Sequence, residues 1–382
     1  MRDIIGRIKK EKSYVKRGSK WSMVKRNLII SLVALVLGGL LTALASGVGG
    51  FAQWYSTTIY PIWVTTVGRF FGWFPFSVAE MLLYLLILFV VGYLIYTIIL
   101  MVKHKEKVVY ILRWLSSMIL IGSMLYFLFV TNAGINYHRD SFVQVTNLEV
   151  KEYSVEELLA VGMWLTVRVN ETGQLVTRDQ DGVMILTVDI GNVSREAMRE
   201  LTSEFPVLEG YIPPPKPVLN SWILSIQQVA GIFSPFTIEG NFNNHMVSYN
   251  LPFVATHELV HVRGFMQEEE ANFLAFLACI GSEEVEFQYS GYLRGWLYVR
   301  NALSRVDREA ATELYHLLDE DVRADLQANR EFWAQFEGPI SELQTRVNDA
   351  YLRANAQPEG VRSYGRMVDL VIAYFLEKYG VE

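Results

Sequence analysis

The chain has 382 residues, of which 51% are hydrophobic and 19% charged, and its mean hydropathy is +0.21. Those values exclude a disordered chain and argue against a wholly soluble one, and the single cysteine, Cys279, excludes an intrachain disulfide framework and any multi-cysteine zinc site. The net charge of −6 hides a split: residues 1–130 carry 15 Lys+Arg against 4 Asp+Glu, and residues 131–382 carry 19 against 36. An acidic C-terminal part lacks the basic footprint that nucleic acid requires.

In chain order, residues 1–26 are a basic segment with ten Lys and Arg, and 27–131 are a membrane domain. Three apolar runs fill it: Asn27–Gly50, Ser77–Val102 and Val108–Thr131. Each is long enough to cross a hydrocarbon core of ~30 Å at ~1.5 Å per helical residue. Orientation follows from the loops. The first connection, about 51–76, holds only Arg69, whereas Lys103, Lys105, Lys107 and Arg113 surround the second. Positive residues stay inside, so the N-terminus is cytoplasmic, the chain crosses three times, and residues 132–382 are extracytoplasmic. Ala43-Leu44-Ala45 reads like a signal-peptidase site, but the basic leader is long for a signal peptide. The simpler reading is a cytoplasmic anchor that attracts anionic lipid. The first connection, with Trp54, Tyr55, Tyr60, Trp63, Phe70, Phe71, Trp73, Phe74 and Phe76, suits the outer headgroup level.

Beyond residue 131 the pattern is mostly helical with a small β component. Ser154-Val155-Glu156-Glu157 reads as a capping box opening a helix towards Val169. Gln174–Thr177 and Val183–Val188 read as a hairpin, Ser194–Phe205 as a helix, and Pro213–Pro217 as a dividing loop. Ser221–Phe233 is apolar but too short to span. Helices are expected over Gln267–Ile280, Glu284–Arg305, Glu309–Phe336, Ile340–Asn355 and Val361–Tyr379.

One stretch carries chemistry. His257-Glu258-Leu259-Val260-His261 lies between Pro252, suited to a helix start, and Gly264, suited to its end. Spacing of four stacks both imidazoles on one helix face, where they can share one Zn²⁺. Glu258 lies one step round the helix, placed to take a proton from a water that the ion activates. This is the zincin signature. The helix around it is otherwise apolar, and three ionisable groups buried there are costly unless something compensates. A third ligand is required, and no histidine stands six residues after His261. Glu268 is the leading candidate, because Glu268, Ala271, Asn272 and Ala275 share one face and the alanines allow close approach. Glu270, about 200° round the same helix, is the alternative. Asn272 would then accept a hydrogen bond from a ligating imidazole. For the transition state, His245, Tyr249, Arg263, Tyr289 and Tyr292 are candidate oxyanion stabilisers, and spacing does not choose among them.

The three apolar helices, Ser234-Pro235-Phe236-Thr237, the run from His257 to Phe265, the run from Glu268 to Cys279, and Tyr289-Ser290-Gly291-Tyr292 together resemble a bacterial membrane-protein family. That family is catalogued as a domain of unknown function and grouped with gluzincin-type metallopeptidases. The resemblance covers most of the chain and is motif-specific from about Ser234 to Tyr292. It implies a zinc peptidase fold without a known substrate. Glu268 to Asn272 is also similar to the ExxAD segment of membrane zinc peptidases, with Asn272 in place of their aspartate, which leaves the outer support of the metal weaker. The expectation is therefore three transmembrane helices followed by a mostly helical zincin-like domain, acting as a membrane-anchored zinc metallopeptidase on peptide or protein substrates. The alternative is a catalytically inactive zincin-like sensor or scaffold.

Overall fold

The computed structural model describes residues 2–379, with side chains from Trp21 onward except at position 364. The lysines and arginines of the segment 1–20, expected to attract lipid, lie outside the described side chains. The chain is mainly helical with one small sheet. Among the described residues, three helices are long and apolar enough to cross a membrane: Trp21–Gly47, Val78–Lys103 and Lys107–His138. The first and third pack along their length. Asn27 Nδ2 donates to Ser117 Oγ at 3.2 Å, and Tyr126 fills the space beside Gly38, where a Cβ would lie 2.6 Å from its ring. The apolar side chains of the second helix are largely exposed. That is what lipid contact requires, since hydrocarbon and not the protein solvates them.

The first connection is helical from Phe51 to Gly72, with wide π turns over Tyr55–Ile59 and Val64–Gly68. Pro61 explains the first of these, because its ring excludes the carbonyl four residues earlier and it donates no hydrogen bond. The segment is two-faced. Trp54, Ile62, Phe70 and Trp73 are exposed, while Tyr55, Tyr60 and Val64 are buried in the main core. Tyr60 Oη donates to the carbonyl of Val262, directly behind the His257–His261 motif, at 3.1 Å. Ala45, within the stretch that reads like a cleavage site, is also buried in this core. The main core therefore crosses the boundary expected near residue 132 and includes Val130 and Ile135 from the end of the third helix.

Several elements follow their sequence signals. The capping box at Ser154 is present and opens Val155–Gly173, four residues longer at its end than expected. Other expectations need correction. The hairpin is reduced to a single bridge, Arg178↔Met184, because Arg178 turns its guanidinium to Asp325 and the Gly182 carbonyl and holds the loop in place of a ladder. The helix expected over Ser194–Phe205 starts earlier, at Ile190, capped by Asp189, and ends at Glu200. Glu309–Phe336 is two helices, Arg308–His316 and Glu320–Ala334. Ser221–Phe233 divides into a short helix, Ser221–Ile226, and a strand.

The sheet forms largely in segments whose sequence has no strand signal. Its strands are β1 (Lys216–Pro217), β2 (Gly231–Ser234) and β3 (Glu239–Phe242), in the order β1-β3-β2, with β1 parallel and β2 antiparallel to the central β3. The turn between β2 and β3 holds Pro235, Phe236 and Thr237 and is clamped to the membrane part. Asn132 Nδ2 donates to the Pro235 carbonyl at 2.8 Å, and Ile238, a β-branched residue at φ 54°, is fully buried against Gly68. A left-handed β-branched residue is strained by about 1–2 kcal/mol, and it persists because packing holds it there.

Two outcomes test this architecture. A chain beginning at residue 132 lacks Tyr55, Tyr60 and Val64 and exposes the core they cover. It is expected to remain protease-sensitive and to aggregate, whereas the whole chain in detergent resists limited proteolysis. Separately, in a Cys279→Ser background, a cysteine at the exposed position Ser203 should be labelled by an impermeant reagent in intact cells and one at exposed Lys105 should not. The reverse pattern would invert the orientation derived from the charge bias.

Candidate functional site

The His257–His261 motif lies on a helix running from Asn250 to Val262, every residue of which is buried. Its end is built by Gly264 at φ 84°, whose N–H returns to the His261 carbonyl at 2.9 Å while Phe265 N–H reaches Val260 at 3.3 Å. Any Cβ at position 264 would also press on the Tyr60 ring at 3.2 Å. The chain then turns into the Glu268 helix, Glu268–Gly281, with Ala271 and Ala275 fully buried where the two helices meet.

This turn brings His257, His261 and Glu268 together. One donor atom from each lies within 4.8 Å of the others, and all three residues are buried. His257 Nε2 is 3.3 Å and His261 Nε2 is 3.7 Å from Glu268 Oε2. The imidazole rings sit 4.7 Å apart at 88°, as i, i+4 stacking on one face requires. His261 Nδ1 lies 2.8 Å from the Phe265 carbonyl, which can only accept, so Nδ1 carries a proton and Nε2 is the nitrogen turned to the cluster.

Glu270 goes elsewhere. Its carboxylate accepts from the backbone N–H of Phe142 at 2.5 Å, and burial pushes it up to about 7, with Phe142 and Arg139 opposing. Asn272 is buried on the cluster side of the Glu268 helix, but its Nδ2 has no partner among the described residues, and the imidazole support comes from Phe265 instead. Of the five oxyanion candidates, four are engaged away from the cluster. His245 pairs with Ser225, Arg263 with the carbonyls of Leu208 and Glu209, Tyr289 with Asp325, and Tyr292 packs on Trp164. Tyr249 is fully buried with no partner for its hydroxyl among the described residues.

Glu258 points towards the sheet. A Cβ on Gly231 would come within 2.3 Å of its carboxylate, and one on Gly240 within 3.0–3.2 Å of its Cβ and backbone. Two glycines thus let β2 and β3 lie against the motif helix, a role that sequence reasoning misses. Isolated glycines inside strand-like runs are the signal that could have found them. Burial pushes the Glu258 carboxyl up to about 8, and its Oε2 has no partner among the described residues. Within the cluster, burial opposes charge on Glu268, but the two imidazoles outweigh it and hold the carboxyl well below the usual range. Burial likewise lowers His257, whereas at His261 the Glu268 contact outweighs burial and raises it to about 9.

The cluster therefore calls for one positive charge beside Glu268. Without an ion His261 must supply it as imidazolium, and a divalent cation supplies it with both imidazoles neutral. The donor set fits zinc: two neutral nitrogens and a carboxylate, leaving a fourth position open. Glu268 Oε2, which faces both imidazole Nε2 atoms but makes no hydrogen bond among the described residues, is the atom such an ion would meet.

Metal analysis of purified variants tests the assignment. His257→Ala, His261→Ala and Glu268→Gln are each expected to lower bound zinc from about one per chain to near zero. Glu270→Gln should keep the metal and lose thermal stability. Zinc loss in the Glu270 variant alone, with Glu268→Gln unaffected, would reverse the two roles.

No curated protein and no solved structure matches this chain. A family profile described as "Protein of unknown function (DUF3810)" matches residues 55–372, from the first buried aromatic of the interfacial segment to the last helix, and the chain belongs to that family.

Proposed function

We propose that this protein is a membrane-anchored zinc metallopeptidase that hydrolyses peptide bonds on the extracytoplasmic side, close to the bilayer. The observation that carries the reading is the convergence of His257, His261 and Glu268 with an unpartnered Glu258 oxygen beside them. Zinc held there would polarise the scissile carbonyl and make water more acidic.

The residues of the chain account for the remaining requirements. Glu258, whose buried carboxyl binds a proton more tightly than an exposed one, is suited to accept a proton and to return it. As the water oxygen bonds to the carbonyl carbon, that proton passes to Glu258. It is then delivered to the departing amine as the C–N bond breaks, which leaves a carboxylic acid and an amine. Peptide positioning falls to β2, the edge strand nearest Glu258. The antiparallel alternation pairs Ala230 with Asn243, so the backbone groups of Gly231 and Phe233 point away from β3. An extended peptide pairing with that edge would run past Glu258, with the Phe233 ring 6.4 Å from that of His261. Tyr298 and Tyr351 both lie within reach of the Glu268 charge. They join Tyr249 as candidates to meet a developing oxyanion, Tyr351 with its hydroxyl 2.9 Å from that of Tyr137.

The sheet is hydrogen-bonded to the start of the second apolar helix, which puts the cluster next to a segment apolar enough to lie in the bilayer. Substrates are accordingly expected to be membrane-proximal segments or surface-associated peptides.

Glu258→Gln keeps shape and hydrogen-bonding reach and removes the base. Zinc is expected to stay bound while hydrolysis falls by about 10²–10⁴-fold, the usual worth of a positioned proton-transfer group. Both are to be measured on one purified sample of the whole chain. Wild type that holds zinc yet cleaves nothing across a broad peptide library would favour the sensor or scaffold reading.

A further inference from the structure

Most buried arginines in this fold have their charge accounted for. Arg178 pairs with Asp325, Arg263 donates to the carbonyls of Leu208 and Glu209, and Arg139 lies over the Phe265 ring and donates to the Arg263 carbonyl. Arg294 is partly buried and forms no ion pair among the described residues, and its Nε, like those of Arg139 and Arg178, is buried without an acceptor.

Its position is set by helix docking. The helix Val285–Val306 is pinned to the start of the motif helix by Ser290, whose hydroxyl donates to the Tyr249 carbonyl and accepts from Phe253 N–H at 3.1 Å. One turn later the Arg294 guanidinium lies over the Phe253 ring, 5.2 Å from its centre, and over Tyr298 at 5.5 Å. Phe253 precedes His257 by four residues, so Arg294 flanks the motif helix within reach of the cluster. A partly exposed guanidinium beside two aromatic rings and without a counter-charge is open to an anion from outside the chain.

We propose that Arg294, held between Phe253 and Tyr298, receives a carboxylate of the substrate next to the bond that is cut. This rests on the peptidase reading of the His257–Glu258–His261–Glu268 site and adds a substrate class to it. The planar guanidinium matches a carboxylate through two parallel hydrogen bonds, and the two aromatic rings beside it keep it oriented. The carboxylate has two sources. A free C-terminus makes the enzyme one that trims chain ends, and an Asp or Glu side chain makes it an internal cutter with acidic preference.

The test uses the whole zinc-loaded chain in detergent with peptides in matched pairs: free acid against C-terminal amide, and Glu against Gln at each internal position. Cleavage is followed by mass spectrometry, and binding by fluorescence polarisation on the Glu258→Gln chain. Wild type should favour one acidic member, and which pair responds identifies the source. Arg294→Gln should lose on the order of 10–100-fold in kcat/KM for that member alone, the loss expected for a charge-assisted contact. Arg294→Lys should keep part of the preference, and both should retain zinc and thermal stability. Because the preference is read first on wild type, a poorly folded variant does not decide the matter. Cleavage without any carboxylate preference, or a preference surviving in Arg294→Gln, overturns this role and leaves the peptidase reading standing. If wild type binds zinc but cleaves nothing and Glu258→Gln binds none of the peptides, both fall together.

Discussion

The fold depends on one buried carboxylate, that of Glu239. It is fully buried at the start of β3, forms an ion pair with the equally buried Lys216 of β1, and accepts the backbone N–H groups of Val78 and Ala79 at 3.3 and 2.8 Å. Those N–H groups are the unsatisfied donors at the head of the second apolar helix, where the helix dipole also favours negative charge. Glu80 repeats the arrangement in reverse. It sits in that helix and accepts from Leu219 and Asn220 of the segment after β1. Two carboxylates thus fasten the sheet to the membrane helix from both sides. Removing one partner of such a buried pair leaves a charge without compensation, a loss of about 3–5 kcal/mol.

What Glu239 fastens is the wall of the candidate site. The next residue, Gly240, lies against the Glu258 backbone, and Gly231 on the neighbouring strand lies against its carboxylate. The membrane helix, the sheet and the motif helix therefore form one continuous series of contacts. Tyr60 adds a second, independent tie from the interfacial segment to the end of the motif helix. In physical terms the domain after the third helix does not end at its own surface. Its core is completed by residues that precede it in the chain, and this is why the membrane part and the site share one hydrophobic cluster.

The electrostatics of the site follow from the same enclosure. A fully buried helix carries two imidazoles and a carboxyl, and a second helix adds Glu268. In water these groups would titrate independently; without water each depends on its neighbours, so the imidazoles hold Glu268 charged while burial raises the proton affinity of Glu258. Two carboxyls on adjacent helices are driven in opposite directions by their environments. That separation is the usual physical basis for assigning one carboxyl to holding an ion and the other to moving a proton.

Features that rest on local pattern are legible in the residues alone. Hydropathy locates the three apolar helices, because spanning length is a property of uninterrupted residues. The i, i+4 spacing places His257 and His261 on one face, and the face shared with Ala271 and Ala275 favours Glu268 over Glu270. The capping box at Ser154 is legible for the same reason: cap and helix are within four residues of each other. The remaining features emerge only on packing. Strands of two to four residues carry too little period to be read, so Lys216–Pro217 and Gly231–Ser234 are hidden in a proline loop and an apolar run. Phe265 lies only four residues from His261, but nothing in its identity says that its carbonyl will orient the imidazole. Arg294, Gly231 and Gly240 reach the site across 18 to 36 residues of intervening chain, measured from Glu258. Their roles are contacts between elements, and such contacts exist only once packing has chosen which faces meet.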